Sequence, residues 1–247
     1  MNEHCIVPDW PAPPGVRALI TTRTGGASTG AYASMNLGFA TEDDPAAVQE
    51  NRRRLRHVLP SEPRWLKQVH GTCVVLADTL TERVEADAAV ACGPRIVCAI
   101  LVADCIPVLL TDGAGTVVAA AHAGWRGLAG GVIERTVEVM RRHSRTELIA
   151  YIGPGIGRDA FQVGRDVYDA FTSRDAEAAG AFAPDGPDKW RADLPALVRR
   201  ALAACGVLHV HGDAPCTHSD PARFFSYRRD RTTGRMAALI WREGESP

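Results

Sequence analysis

Apolar residues occur along this chain in short runs separated by polar or Gly/Pro-containing breaks. The runs 16–23, 72–78, 86–92, 95–104, 107–112, 116–122, 147–153, 207–213 and 235–241 read as β-strands by length and by their Val, Ile and Leu content. Within 96–102 and 117–121 almost every position is apolar rather than every second one, which predicts strands covered on both faces. Helical periodicity is rarer. Segment 43–59 starts with Asp44 as a cap and Pro45 in the first turn and carries a basic exposed face. Segment 128–144 puts Leu128, Val132, Val139 and Met140 on one stripe, and 193–206 runs from an Asp193 cap to a terminating Gly206. Many strands with a few lateral helices predict an α+β protein of mixed sheets with helices outside.

The 247 residues fit one large domain over 1–247, since no stretch has the composition of a linker. A formal net charge of −1 provides no field for nucleic acid or an anionic membrane. Small molecules or a second copy of the chain are the expected partners, with a monomer or homodimer as the expected assembly. The longest apolar run is interrupted by Asp104, well short of the roughly 20 residues that span a bilayer. Seven cysteines, an odd number and mostly in apolar contexts, together with an N-terminus lacking signal organisation, predict a reduced cytoplasmic protein.

Candidate chemistry sits where apolar runs end. His70 in WLKQVHG, Cys105 in AILVADCIP and His122 in VVAAAHAGWRG each lie at such a boundary, so their side chains can converge at one edge of the core. One thiolate and two imidazoles form a zinc-type donor set, and three ligands rather than four leave a coordination position open. The same residues also fit a small core cysteine and hydrogen-bonded histidines, and no short local zinc spacing is present. The residues alone leave both readings open.

Longer words add to the picture. The segments 21–38, 65–71, 86–110, 117–134, 152–167 and 216–241, with ADCIPV and HAGWRG among them, together resemble the YfiH/DUF152 family over about residues 16–241. That family carries three labels: laccase-like polyphenol oxidase, purine nucleoside phosphorylase and peptidoglycan editing factor. The resemblance implies a four-layer α/β/β/α sandwich, and it implies Zn²⁺ held by His70, Cys105 and His122, with copper as the other ion.

Further candidates surround these three. Asp104 precedes Cys105 and would point to the opposite strand face, either capping a neighbouring turn or pairing with an arginine, or else serving the metal or substrate. Arg126, near the start of the helix expected around Leu128, suits phosphate, whereas Trp125 reads as packing. The turn 22–28 (TRTGGAS) could cradle an anion in its backbone, although a tight turn is the default for such a Gly pair. The resemblance places Arg23, Ser28 and Asn36 among the site candidates. Segment 152–157 (IGPGIG) misses the dinucleotide pattern, because Arg158 stands where the third glycine belongs. In the C-terminal motif, Arg228 and Cys216 are expected to close the pocket, Phe225 and Tyr227 to alternate along a strand wall, and 228–231 (RRDR) to form a solvated turn.

The leading functional expectation, taken from the resemblance, is a purine nucleoside phosphorylase. It would act on adenosine, inosine, guanosine or 5′-methylthioadenosine with phosphate, and adenosine deaminase activity is a second expectation for the same site. Copper-dependent phenol oxidation is a rival, but a multicopper cluster needs several His-x-His pairs and this chain offers His209 and His211 alone. A hydrolase editing peptidoglycan precursors, with Cys105 as nucleophile and His122 as base, is another. A binding protein with a structural zinc would require a fourth ligand, for which Cys73 is the nearest candidate.

Overall fold

Residues 4–244 are described by the structure, a computed structural model. In chain order the elements are β1 (Cys5–Ile6), β2 (Val16–Thr21), α1 (Pro45–Arg56), β3 (Arg64–Trp65), β4 (Val74–Leu76), β5 (Ala88–Ala91), β6 (Cys98–Val102), β7 (Ile106–Asp112) and β8 (Val118–Ala123). They continue with α2 (Trp125–Gly130), α3 (Val132–His143), β9 (Leu148–Ile152), β10 (Gln162–Gly164), α4 (Arg165–Thr172), β11 (Phe182–Pro184) and β12 (Lys189–Ala192). The last are α5 (Leu194–Ala204), β13 (His209–His211), α6 (Tyr227–Asp230) and β14 (Met236–Arg242).

Two mixed sheets result, a five-stranded one in the order β1-β2-β14-β6-β3 and a six-stranded one in the order β13-β9-β7-β8-β5-β4. Side-chain alternation assigns their faces. Ile20, Ile100, Ala238 and Ile240 of the first sheet meet Leu109, Val118 and Ala120 of the second. The outer face of the first sheet, with Ala99, Ala237 and Leu239, is covered by Leu55 of α1 and by Leu37 and Leu59. The outer face of the second, with Val108, Leu110, Ala119 and Ala121, lies under Val132, Ile133 and Met140 of α3 and Leu197, Val198 and Leu202 of α5. Helix, sheet, sheet and helix therefore stack as the expected α/β/β/α layers, and β6 and β8 are buried on both faces, as their continuous apolar runs predict.

Local chemistry explains the helix starts. The Asp44 carboxylate accepts from the Ala46 amide and the Asp193 carboxylate from the Ala196 amide, each ahead of a Pro in the first turn. The helix expected over 128–144 instead begins at Trp125 and is interrupted at Gly131, whose φ of 99° suits glycine and ends α2 before α3 begins. The predicted strand 72–78 shortens to β4 followed by a 3₁₀ turn. A small sheet ordered β10-β12-β11 escaped prediction because its strands of three or four residues are too short to establish a period, and α4, eight residues long, spans little more than two turns. The expected strand wall at 225–227 is corrected to a one-turn helix, α6. Phe224 and Phe225 are both fully buried instead of alternating, and the Ser226 hydroxyl accepts from the Arg229 amide as a cap.

All seven cysteines are free thiols. Among the described residues no helix is long and apolar enough to cross a membrane. The inter-sheet layer predicts its own sensitivity: Ala120→Leu inserts bulk where β8 packs against the other sheet and should cost about 1–3 kcal/mol in urea unfolding. Wild-type stability in that variant would show slack between the sheets.

Candidate metal centre and its pocket

Three passages of the chain from one sheet to the other lie at the same end of the sandwich, and two of them carry metal-ligand candidates. Between β6 and β7 only residues 103–105 make the passage, and the one from β3 to β4 carries His70. His122 is the penultimate residue of β8, just ahead of α2. The ligating atoms of His70, Cys105 and His122 all lie within 4.8 Å of one another, with Cys105 Sγ 3.8 Å from His70 Nε2. Both passages are backbone-constrained: His70 has φ 59° and Asp104 φ 95°, left-handed values that a side chain disfavours and that the surroundings must enforce.

Asp87, which sequence reasoning missed, supplies much of that enforcement. Fully buried at the edge of β5, its carboxylate accepts the successive amides of Val69, His70 and Gly71 at 3.1, 3.0 and 2.7 Å. The same carboxylate lies 2.8 Å from His122 Nδ1. One carboxylate thus fixes the loop bearing the first histidine and the ring of the second, leaving His122 Nε2 for the cluster. Burial alone would raise the Asp87 pKa, but the hydrogen bonds from His122 and Gly71 outweigh it and hold the group below the usual carboxylate range. Gln68 adds a second brace: its amide donates to the Leu101 carbonyl and accepts from the Leu101 amide, continuing the ladder along β6. Gly124 gives clearance, since a Cβ there would stand 2.8 Å from His70 Cδ2 and 2.9 Å from Cys105 Sγ.

The cluster is electrostatically coupled. Burial pushes the Cys105 thiol up, yet the adjacent His122 and His70 more than compensate and bring its pKa down to about 6. Burial likewise works against protonated His122, while the Cys105 charge and the Asp87 bond raise it to about 9. A thiolate beside two imidazoles, one oriented from behind by a carboxylate, fits a soft-to-borderline divalent metal. Among the described residues no fourth His, Cys, Asp or Glu joins the three, and Cys73 stays outside the group.

The cluster opens into a cavity of about 610 Å³. Asp104, Trp125, Phe161 and Tyr227 contribute to its wall, as do Arg83, Arg126, Arg228, Arg231 and Arg235, of which Arg83, Arg231 and Arg235 were not among the sequence candidates. Asp104 performs the capping role: its carboxylate accepts the Thr217 hydroxyl and the Arg228 amide, both at 2.6 Å, anchoring the start of α6. Arg228 donates to the Gln162 carbonyl and places its guanidinium 5.1 Å from the Phe161 ring centre. Arg126 lies over the Trp125 ring, 4.4 Å from its centre.

The structure places other candidates away from this wall. Arg23 donates to the carbonyls of Ala33 and Pro221. Ser28 accepts from Asn51, and buried Asn36 accepts the Gly38 and Arg235 amides. The turn 22–28 cradles no anion through residues 26–28, whose amides already donate to Ser34 Oγ, Asn51 Oδ1 and the Ser34 carbonyl. Cys216 Sγ accepts from the Gly157 amide, and Ile156 donates to the Asp104 carbonyl, so 152–157 buttresses the passage carrying Cys105. The solvated turn expected at 228–231 is corrected to α6 and its end, with Arg229 donating to the carbonyls of Thr217, His218 and Phe224.

Comparison with known proteins points to one family that carries two different activity descriptions. Residues 17–243 match the family model described as multi-copper polyphenol oxidoreductase laccase. A purine nucleoside phosphorylase of Pseudomonas aeruginosa is 52% identical over 237 residues, covering 96% of this chain and 97% of the relative. The purine nucleoside phosphorylase YfiH of Escherichia coli is 49% identical over 239 residues, covering 96% and 98%. A Neisseria meningitidis protein of DUF152 superposes with a TM-score of 0.93 at 49% identity over 98% of this chain and 100% of its own. A Bacillus licheniformis protein, YfiH, reaches 0.87 at 28% identity, covering 92% and 93%.

Asp87→Asn replaces an acceptor-only carboxylate by an amide whose NH₂ confronts donors, and it should weaken metal binding about 10–100-fold in competition with a chromophoric chelator. Unchanged affinity would reduce Asp87 to a loop brace. In metal-stripped protein, Cys105 should be the thiol alkylated fastest at neutral pH, slowing only as pH falls through about 6, whereas burial raises the Cys5, Cys92 and Cys205 thiols. Peptide mapping after brief iodoacetamide treatment checks this, and equal labelling of these cysteines would contradict it.

Proposed function

The chain belongs to the YfiH/DUF152 family, described by its model as laccase-like, and from that membership we propose that it is a zinc-dependent purine nucleoside phosphorylase. The observation carrying this reading is one cavity in which an open three-donor metal cluster faces arginines. A volume of about 610 Å³ suits a nucleoside with phosphate beside it. Zinc is favoured because thiolate and imidazole are its preferred donors and three protein ligands leave a position free. Bound there, it would supply Lewis acidity. A copper cluster would need more histidines, and His209 and His211 lie on β13, the edge strand of the six-stranded sheet, outside the ligand group.

In the reaction, a phosphate oxygen forms a bond to C1′ of the nucleoside, the glycosidic bond breaks, and its electron pair leaves with the base, which takes up a proton. Arg126 and Arg235 are the proposed phosphate holders. Arg126 follows His122 by four residues, and Arg235, largely buried, lies close enough to Cys105 and Asp104 for their charges to oppose the desolvation that lowers its pKa. Tyr227 and Phe161 offer aromatic faces to the base. Asp104 keeps α6, and with it Tyr227 and Arg228, against the cavity. Adenosine, inosine, guanosine and 5′-methylthioadenosine are the proposed substrates, with adenosine deamination as a second activity of the same site. Free thiols throughout suit a reducing cytoplasm.

Chromatography of adenosine incubated with zinc-replete protein should yield adenine and ribose 1-phosphate only when phosphate is present. Arg126→Ala should raise the phosphate KM roughly 10–100-fold with zinc retained, as expected for loss of a charge-assisted contact. Copper-dependent phenol oxidation without nucleoside turnover would overturn the reading. Activity abolished by thiol alkylation yet indifferent to chelation would favour the cysteine hydrolase.

A further inference from the structure

On the outer surface some arginines have carboxylate partners, as in Arg17 with Glu243, Arg142 with Glu138 and Arg165 with Asp188, while exposed Arg135 and Arg158 have none among the described residues. The cavity is set apart by gathering five arginines in one wall. Among the described residues, none of the five lining the cavity has a carboxylate oxygen within 4 Å. The one acid in the wall, Asp104, accepts from a hydroxyl and a backbone amide, not from a guanidinium.

Phosphorolysis accounts for only part of this charge. One inorganic phosphate carries two negative charges at most, and two arginines are enough to hold it. Arg228 and Arg231 remain on and just after α6: burial lowers the Arg228 pKa, the Asp104 charge opposes that fall, and the Arg231 charge is close enough to add to it. Arg228 donates to the Gln162 carbonyl and lies over the Phe161 ring, Arg231 lies over the Tyr227 ring, and among the described residues neither has a carboxylate oxygen within 4 Å. Arg231 holds its place with φ 61°, a left-handed conformation for a residue with a side chain. Two neighbouring guanidinium groups in a cavity wall, whose one nearby carboxylate, Asp104, is already engaged by a hydroxyl and a backbone amide, form a site for an anion brought by the ligand.

We propose that Arg228 and Arg231 form a second anion subsite, distinct from that for inorganic phosphate, which receives a phosphomonoester carried by the nucleoside itself, so that the cavity accepts nucleoside 5′-monophosphates. This rests on the nucleoside reading above and extends its substrate class. Arg83 adds positive charge to the same cavity.

The test is calorimetric titration of zinc-loaded protein, in phosphate-free buffer, with adenosine, adenosine 5′-monophosphate and inorganic phosphate separately. The monophosphate should bind at least about tenfold more tightly than adenosine, and the gain should shrink with added salt. Saturating inorganic phosphate should leave most of that gain in place, because the two anions occupy different subsites. Arg231→Gln should lower the affinity for the monophosphate several-fold while leaving that for adenosine unchanged, and Arg165→Gln should change neither. A monophosphate bound no better than adenosine, or one displaced fully by inorganic phosphate, overturns the proposal, and wild-type protein alone decides this. Adenosine turnover measured in parallel separates the two ideas: turnover with no monophosphate preference sinks the subsite alone, and preference without turnover sinks the phosphorylase reading alone.

Discussion

A single buried carboxylate ties the site to the fold. Asp87 has no solvent and faces four donors, three of them consecutive amides of the loop that carries His70 and the fourth the ring of His122. Replacing any of those bonds leaves either a buried charge or a buried amide unpaired, a penalty of about 1–3 kcal/mol for a neutral donor and more for the charge. The Asp87 carbonyl also accepts the His122 amide, and its own amide donates to Cys73, so the backbone at this position is pinned from both sides. Strand pairing between β5 and β8 therefore sets Asp87 against His122, and the Asp87 carboxylate carries that placement on to the loop with His70.

The sandwich explains why the chemistry gathers at one end. Two sheets that share a core must be joined by passages, and the shortest, residues 103–105, forces Asp104 into a left-handed conformation that turns Cys105 inward. The strain is held by Thr217 and Arg228 through the Asp104 side chain and by Ile156 through its carbonyl, so the C-terminal segment and residues 152–157 both brace the same passage. Layer packing and site geometry are consequently one structure. The small residues Ala119, Ala120 and Ala121 of β8 let the other sheet on one side and the α3 and α5 layer on the other close on the strand that delivers His122.

Legibility in the sequence followed the same physics. The continuous apolar runs 96–102 and 117–121 were readable as strands covered on both faces because they are short and bounded by breaks, and the Asp44 and Asp193 caps were readable because their mechanism is local. His70, Cys105 and His122 stood at visible boundaries, while their convergence depended on contacts between sheets that no local pattern encodes. Asp87 carried a faint signal, an acid amid ADAAVAC, and was overlooked because its partners are 16 to 35 positions away. Arg231 and Arg235 were passed over because one stood in a run expected to be a solvated turn and the other opened a predicted strand, whereas α6 brings Tyr227, Arg228 and Arg231 to the same cavity. Asn36, by contrast, looked like a site residue and is a fully buried anchor for Arg235.

The proposed function depends on zinc held by His70, Cys105 and His122, and the most direct measurement is metal analysis of purified protein combined with X-ray absorption at the metal edge. About one zinc per chain, with one sulfur and two imidazole nitrogens in its shell and occupancy collapsing in a folded Cys105→Ser variant, is the predicted result. Copper in place of zinc, a second protein sulfur in the shell, or full occupancy in the serine variant would contradict it.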